Sequence, residues 1–143
     1  PVDPSQPALT VVPTHVPKVG QTIRYEGTHN GNVYTEEYKI ESYNSAYSDW
    51  TVSSKITDGY SVTIDSDYYA TLWSTEKHNS QLKTCVADGG KLEIVTVKSG
   101  TFQTCVLVKN GYRIWRGPTP FWGEVKVEKL DGSLKIEVTQ FTL

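Results

Sequence analysis

A chain of 143 residues is long enough for one domain with a real apolar core, needing no metal or set of disulfides to hold it. Hydrophobic residues at 37% and charged residues at 21% describe a globular chain and exclude a disordered one. A formal net charge of -2, with no dense Lys/Arg run, excludes a nucleic-acid interface and a polybasic membrane patch, since both need concentrated positive charge.

No stretch approaches the roughly 18–20 consecutive apolar residues of a membrane-crossing helix, so no transmembrane segment is expected. The chain opens on Pro1, holds no Met, and reads as a mature or trimmed chain from which any targeting peptide is already gone. Residues 1–19 carry five prolines (Pro1, Pro4, Pro7, Pro13, Pro17) and little periodicity. Proline withdraws backbone donors and favours extended conformations, so this stretch reads as a linker, tether or strand-like arm. Bacterial lipoproteins carry such segments after their anchoring cysteine, which makes a lipid tether upstream of Pro1 one expectation.

Residues 20–143 read as a single β domain. Turn signals fall at Asn30-Gly31, Asp58-Gly59, Asp88-Gly89, Ser99-Gly100, Asn110-Gly111 and Asp131-Gly132, residue types that reach the positive φ angles of tight hairpins. Between them apolar residues recur with a period of two. The sets are Tyr34, Tyr38 and Ile40; Trp50, Val52 and Ile56; and Tyr60, Val62 and Ile64. Further along come Phe102, Val106 and Val108; Val125 and Val127; and Leu134, Ile136 and Val138. Such alternation buries one set and solvates the other. About nine to eleven strands at this spacing predict an all-β antiparallel meander, curved into a half-open or closed β-barrel with little or no helix. The best helical candidate is a short turn around Ser74–Ser80.

Cys85 and Cys105 each lie in an apolar-alternating segment, and a lone pair spaced across a hairpin suits a disulfide in an oxidising compartment. Closing that loop stabilises the fold by roughly 3 kcal/mol. Two Cys without a His partner complete no zinc site and the spacing is not CxxC, so no metal and no cofactor is expected. The chain has no Asn-x-Ser/Thr sequon, which leans toward a bacterial envelope origin.

No catalytic constellation stands out, and an enzyme is not expected. His15, His29 and His78 fall in the linker, a hairpin tip and a loop, outside any Gly-x-Ser-x-Gly motif, and read as exposed loop histidines. Glu36 and Glu37 point to opposite faces. Glu36 shares the apolar parity of Tyr34 and Tyr38 and reads as reaching solvent near its strand end; burial would demand a partner such as Arg24, Arg113 or Arg116. Asp65-Ser66-Asp67 has the clustered oxygens of a calcium loop but lacks the Gly and Glu of an EF-hand, so it reads as a strand-connecting turn. A hydrolase would need Glu36 about 5–9.5 Å from a second acid such as Asp49 or Asp65.

The aromatic residues are more informative. Tyr68, Tyr69 and Trp73 occupy both faces of one strand, and Tyr112, Trp115, Phe121 and Trp122 flank Pro118–Pro120. Rings on both parities place some of them outside the main core, where they either plug a barrel end or line a binding surface. Tyr69, Trp73, Tyr112, Trp115, Phe121 and Trp122 are therefore the candidate ligand-binding residues. The expected ligand is a lipid or other apolar molecule, or a partner protein of the envelope. The alternative is a carbohydrate-binding module that uses Trp115 and Trp122 as a stacking platform.

The string Val95-Thr96-Val97-Lys98-Ser99-Gly100-Thr101-Phe102, followed by Cys105-Val106, resembles the V-x-V-P-A-G-T-F strand-turn-strand of a large uncharacterised bacterial envelope family. An aromatic strand (Tyr112 to Trp115), Gly123-Glu124-Val125-Lys126 and the opening Val19-Gly20-Gln21-Thr22-Ile23-Arg24-Tyr25 are similar to that family's later and first strands. The chain departs from the pattern at Lys98-Ser99 and in the Pro118-Thr119-Pro120 insertion. The resemblance implies a periplasmic or outer-membrane-associated protein with the half-open barrel of lipoprotein carriers, and it implies no catalytic residues. With Gly100 turning one hairpin, Cys85 is expected on a strand adjacent to or facing that of Cys105.

Overall fold

The computed structural model describes residues 7–143. Among these residues nine antiparallel strands form one sheet: β1 (Thr22–His29), β2 (Asn32–Asn44), β3 (Asp49–Asp58), β4 (Ser61–Tyr69), β5 (Lys91–Val97), β6 (Gly100–Lys109), β7 (Tyr112–Arg116), β8 (Glu124–Lys129) and β9 (Leu134–Thr142). Their order is β4-β3-β2-β1-β9-β8-β7-β6-β5. The sheet is curved and not closed, with β4 and β5 as its two edges. The half-open form of the expected all-β architecture is the one observed.

Local chemistry sets the hairpins. Asn30 (φ 49°) with Gly31 (φ 81°), and Asn110 (φ 53°) with Gly111 (φ 82°), supply the two consecutive left-handed residues of a type I′ turn, whose twist matches the flanking strands. Alternation then places Ile23 and Tyr25 of β1, Ile40 of β2, Val52 of β3, Val125 and Val127 of β8, and Ile136 and Val138 of β9 in one buried layer on the concave side. The opposite parity carries Arg24, Glu26, Glu37, Lys126, Glu128 and Glu137 on the convex side, where Arg24 pairs with Glu26 and Glu37 and Lys126 with Glu128.

Several features differ from the sequence reading. Where a short turn was expected, residues Thr75–Thr84 form helix α1, which joins the two edge strands. Ser74 caps it by accepting a hydrogen bond from the Lys77 amide, Glu76 lies in the first turn and Lys83 in the last, matching the helix dipole at both ends. Cys85 and Cys105 do form the disulfide, with Cα atoms 5.8 Å apart, but Cys85 caps the C-terminus of α1 and lies on no strand. The bond staples the helix to β6. Lastly, Tyr60, Val62 and Ile64 were expected on a buried face and are exposed, Tyr60 in the turn before β4 and Val62 and Ile64 on the convex side. The two-residue Gly59–Tyr60 turn sets the β3–β4 register, and that register directs Asp65 and Asp67 to the concave side instead. Asp65-Ser66-Asp67 is thus mid-strand, not a turn.

Residues 7–20 hold no regular secondary structure yet are tied to the domain. Thr10 exchanges hydrogen bonds with Thr101 at 2.8 and 2.9 Å, and His15 and Thr75 are joined by two more at 2.8 and 3.0 Å. His15 and His78 are buried, at 7% and 6% exposure, where exposed loop positions were expected. Burial and the neighbouring His15 hold the His78 pKa below its ordinary value. His29 alone stays at a hairpin tip, 2.7 Å from Asp58. Among the described residues no helix is long and apolar enough to cross a membrane.

Candidate functional site: an aromatic and acidic concave face

Strand alternation puts Tyr34, Glu36 and Tyr38 of β2 on the concave face, opposite Gly27, Tyr25 and Ile23 of β1. The segment between β7 and β8 folds over this face and delivers Phe121 and Trp122. It adopts a costly backbone: Phe121 sits at φ 68°, a left-handed conformation unusual for an aromatic residue. Surrounding bonds hold it there. The Trp73 amide donates to the Phe121 carbonyl at 2.6 Å, the Trp73 indole N–H to the Gly117 carbonyl at 2.9 Å, and the Gly117 amide to the Gly123 carbonyl at 2.7 Å. His15 Nε2 donates to the Pro118 carbonyl at 2.8 Å. Gly123 has φ 71°, and a Cβ there would lie 2.3 Å from the Trp73 indole nitrogen, so no larger residue fits.

The result is a connected group of rings. Tyr38 and Trp122 meet edge to face with centroids 4.6 Å apart, Tyr69 lies 5.5 Å from Trp122, and Phe121 lies 5.6 Å from Trp122 and 6.3 Å from Tyr38. Phe121 and Tyr25 are fully buried and fill the floor, while Tyr38, Tyr69 and Trp122 are half-buried and face outward. Phe121 and Tyr25 thus fill the centre of this face, and Tyr38, Tyr69 and Trp122 form a half-exposed aromatic surface above them.

Carboxylates border these rings. Glu36 accepts a hydrogen bond from the Tyr38 hydroxyl, and the Tyr25 hydroxyl donates to the Glu124 backbone carbonyl at 3.1 Å. Burial raises the pKa of Tyr25, Tyr34 and Tyr38, and the charge of Glu36 raises each further. Burial also lifts the Glu124 carboxyl to about 7, with Glu36 adding to the rise and Arg116 opposing it. The ladder register shifts between Trp115 and Arg116 opposite Glu124. That irregularity turns Glu124 away from the convex parity of Lys126 and toward Glu36.

Of the six candidate residues, Tyr69, Phe121 and Trp122 come together. Trp73 braces the loop behind them, with the Arg116 guanidinium 5.7 Å from its ring centre. Tyr112 is half-buried on β7 on the same face as Val127, paired with Lys129 of β8 and stacked on none of these rings. Trp115 lies on the other face of the sheet, buried beneath Lys126 at 4.8 Å and donating to Glu93 at 3.3 Å. Trp115 and Trp122 therefore form no common platform for a sugar.

Sequence reasoning missed Tyr38, assigned to the core, and Glu124, whose parity pointed outward. Tyr38 was within reach, since it shares a face with Glu36; Glu124 was not, because a bulge re-aims it. The hydrolase pairs do not assemble. Asp49 lies seven residues along β3 from Ile56, the residue opposite Glu36, or roughly 23 Å away. Asp65 lies two strands across and two residues along, about 12 Å between backbone positions. Compared with protein-family models, with curated proteins and with solved structures, the chain matches none.

Proposed function

We propose that this is a non-catalytic binding protein of an oxidising, exported compartment, and that it holds an apolar ligand or an apolar segment of an envelope protein on its concave face. The observation that carries this reading is the half-exposed group Tyr38, Tyr69 and Trp122 seated on the buried Phe121. Rigid rings supply contact area at low entropic cost, and the strained loop beneath them is what a preorganised surface requires. The filled floor favours a ligand lying across the face over a lipid swallowed whole. The envelope address rests on the disulfide and on the strand-turn-strand resemblance.

The test is a titration of the full chain with the neutral fluorophore N-phenyl-1-naphthylamine, alongside mass spectrometry of solvent extracts of the purified protein. Saturable binding that falls at least tenfold in Trp122→Ala and Tyr38→Ala is expected. Binding indifferent to both substitutions, with no co-purified molecule, would overturn the reading.

A further inference from the structure

Edge strand β4 is where local pattern and overall fold disagree. Its apolar residues Val62, Ile64 and Tyr68 face the convex solvent side at 53%, 77% and 70% exposure. Its acids Asp65 and Asp67 take the concave side, each opposite an inward residue of β3 (Ser54 and Val52). In a consistent sequence those faces would be exchanged, and such inversions mark places shaped by something other than the stability of the isolated fold.

The hydrogen-bond phase of this edge follows from its turn. Asp58 and Ser61 flank a two-residue loop and form the closing bonded pair, so bonded and open positions alternate from there. Ser61, Thr63, Asp65 and Asp67 turn their amides toward β3, while Val62, Ile64, Ser66 and Tyr68 present theirs to the open edge. Two of those open amides are already occupied: Ser66 N–H donates to Asp65 Oδ1 at 2.8 Å and Tyr68 N–H to Asp67 Oδ1 at 3.3 Å. Each acid therefore caps the edge donor that follows it. A capped edge with inward charges resists indiscriminate strand pairing, and it resists a second copy of itself because the partner would bring the same acids.

The cap has a complementary key. We infer that β4 accepts an added antiparallel strand from a protein partner whose side chains alternate between basic and apolar. The basic residues would draw Asp65 and Asp67 off the edge amides on the concave side. The apolar residues would cover Val62 and Ile64 on the convex side, and the freed amides would extend the ladder. Neither half suffices alone: a neutral strand leaves the amides capped, and a non-strand cation gains no ladder. This surface adjoins the Trp122 group at Tyr69 but uses the Asp65–Asp67 edge and its backbone amides instead of the rings, so its failure would leave that reading untouched.

The experiment uses the full chain and nine-residue acetylated peptides that alternate Lys with Val or Ile. Binding is read by calorimetry and by protection of the Val62, Ile64, Ser66 and Tyr68 amides from hydrogen exchange. The lysine peptide should bind at least tenfold tighter than its Ser and Glu counterparts. It should lose at least tenfold in affinity when its Val and Ile amides are N-methylated. Asp65→Ala with Asp67→Ala should cut the preference for Lys over Ser at least fivefold. Ile64→Pro, which removes an amide that β3 does not use, should abolish binding while the far-ultraviolet spectrum is retained. Equal binding of the N-methylated peptide would reduce the effect to bulk charge and overturn the inference. So would no binding at millimolar peptide, or a dimer in sedimentation that Ile64→Pro dissolves.

Discussion

The two ends of the sheet are built differently. On the β5–β6–β7 side the strand behind the edge is tied down: Thr10 lies against Thr101, the disulfide ties α1 to β6, and Trp115 is sealed under Lys126 and Glu93, while β5 itself keeps Leu92 and Ile94 exposed. On the β2–β3–β4 side none of the described residues covers the outer strand, and every residue of β4 except Tyr69 is exposed. Stability is concentrated in the centre and the tied-down wing, and local opening should be cheapest at β4. A wing that contributes little to the fold is free to be shaped by what it meets.

The largest expected effect lies at the seam between the centre and the aromatic face. Phe121→Ala removes a fully buried ring and should destabilise the protein by about 3–5 kcal/mol, visible in a urea melt. Next comes the staple of the tied-down wing. Reducing Cys85–Cys105, which closes a sequence separation of 20, should remove roughly 3 kcal/mol. Hydrogen exchange should then rise first in α1 and β6, and if it rises first in β4 the contrast between the wings is wrong.

Titration gives a third test. Glu124 holds its proton up to about 7, well above an unfolded glutamate, so the folded state binds more protons between about pH 4.5 and 7. Its contribution therefore weakens as pH rises through that window, and Glu124→Gln should be more stable than the parent at pH 8 by roughly 2–3 kcal/mol, with little difference near pH 4. His78 has the opposite sign: its lowered pKa makes stability fall as pH drops below the ordinary histidine value, and a second slope on the acid side should vanish in His78→Asn. The smallest effect belongs to the bare wing. Ile64→Thr should change stability by less than about 0.5 kcal/mol in thermal denaturation, because its side chain already stands in water.

What was legible in the sequence was what local chemistry decides. Asn30-Gly31 and Asn110-Gly111 demand left-handed backbone and produced the hairpins where they were expected, and alternation around Ile40, Val52 and Val138 found the core. The helix was obscured because Thr75–Thr84 is almost wholly polar, so no apolar stripe announced it; only the Ser74 cap, Glu76 and Lys83 carried a signal. Cys85 was misplaced with it. In β4 alternation separated two faces correctly but holds no information about which one is inward, a choice made by the turn at Gly59–Tyr60. The aromatic site was half visible: Phe121, Trp122 and Tyr69 stood out by composition. Their convergence on Tyr38 depends on a backbone excursion at Phe121 that no local propensity favours.

The position of β1 beside β9 has a kinetic consequence. Every other neighbouring pair in the sheet is joined by consecutive strands, so β1–β4 and β5–β9 can each zip up hairpin by hairpin. Thr22 must instead find Thr142 across 120 residues, a closure whose entropy is lost before any contact rewards it. Until it happens, β1 and β9 are themselves bare edges on two half-sheets. The seam that ends as the middle of the finished sheet is the most adhesive surface of the folding chain, and refolding yield should fall with protein concentration because of it.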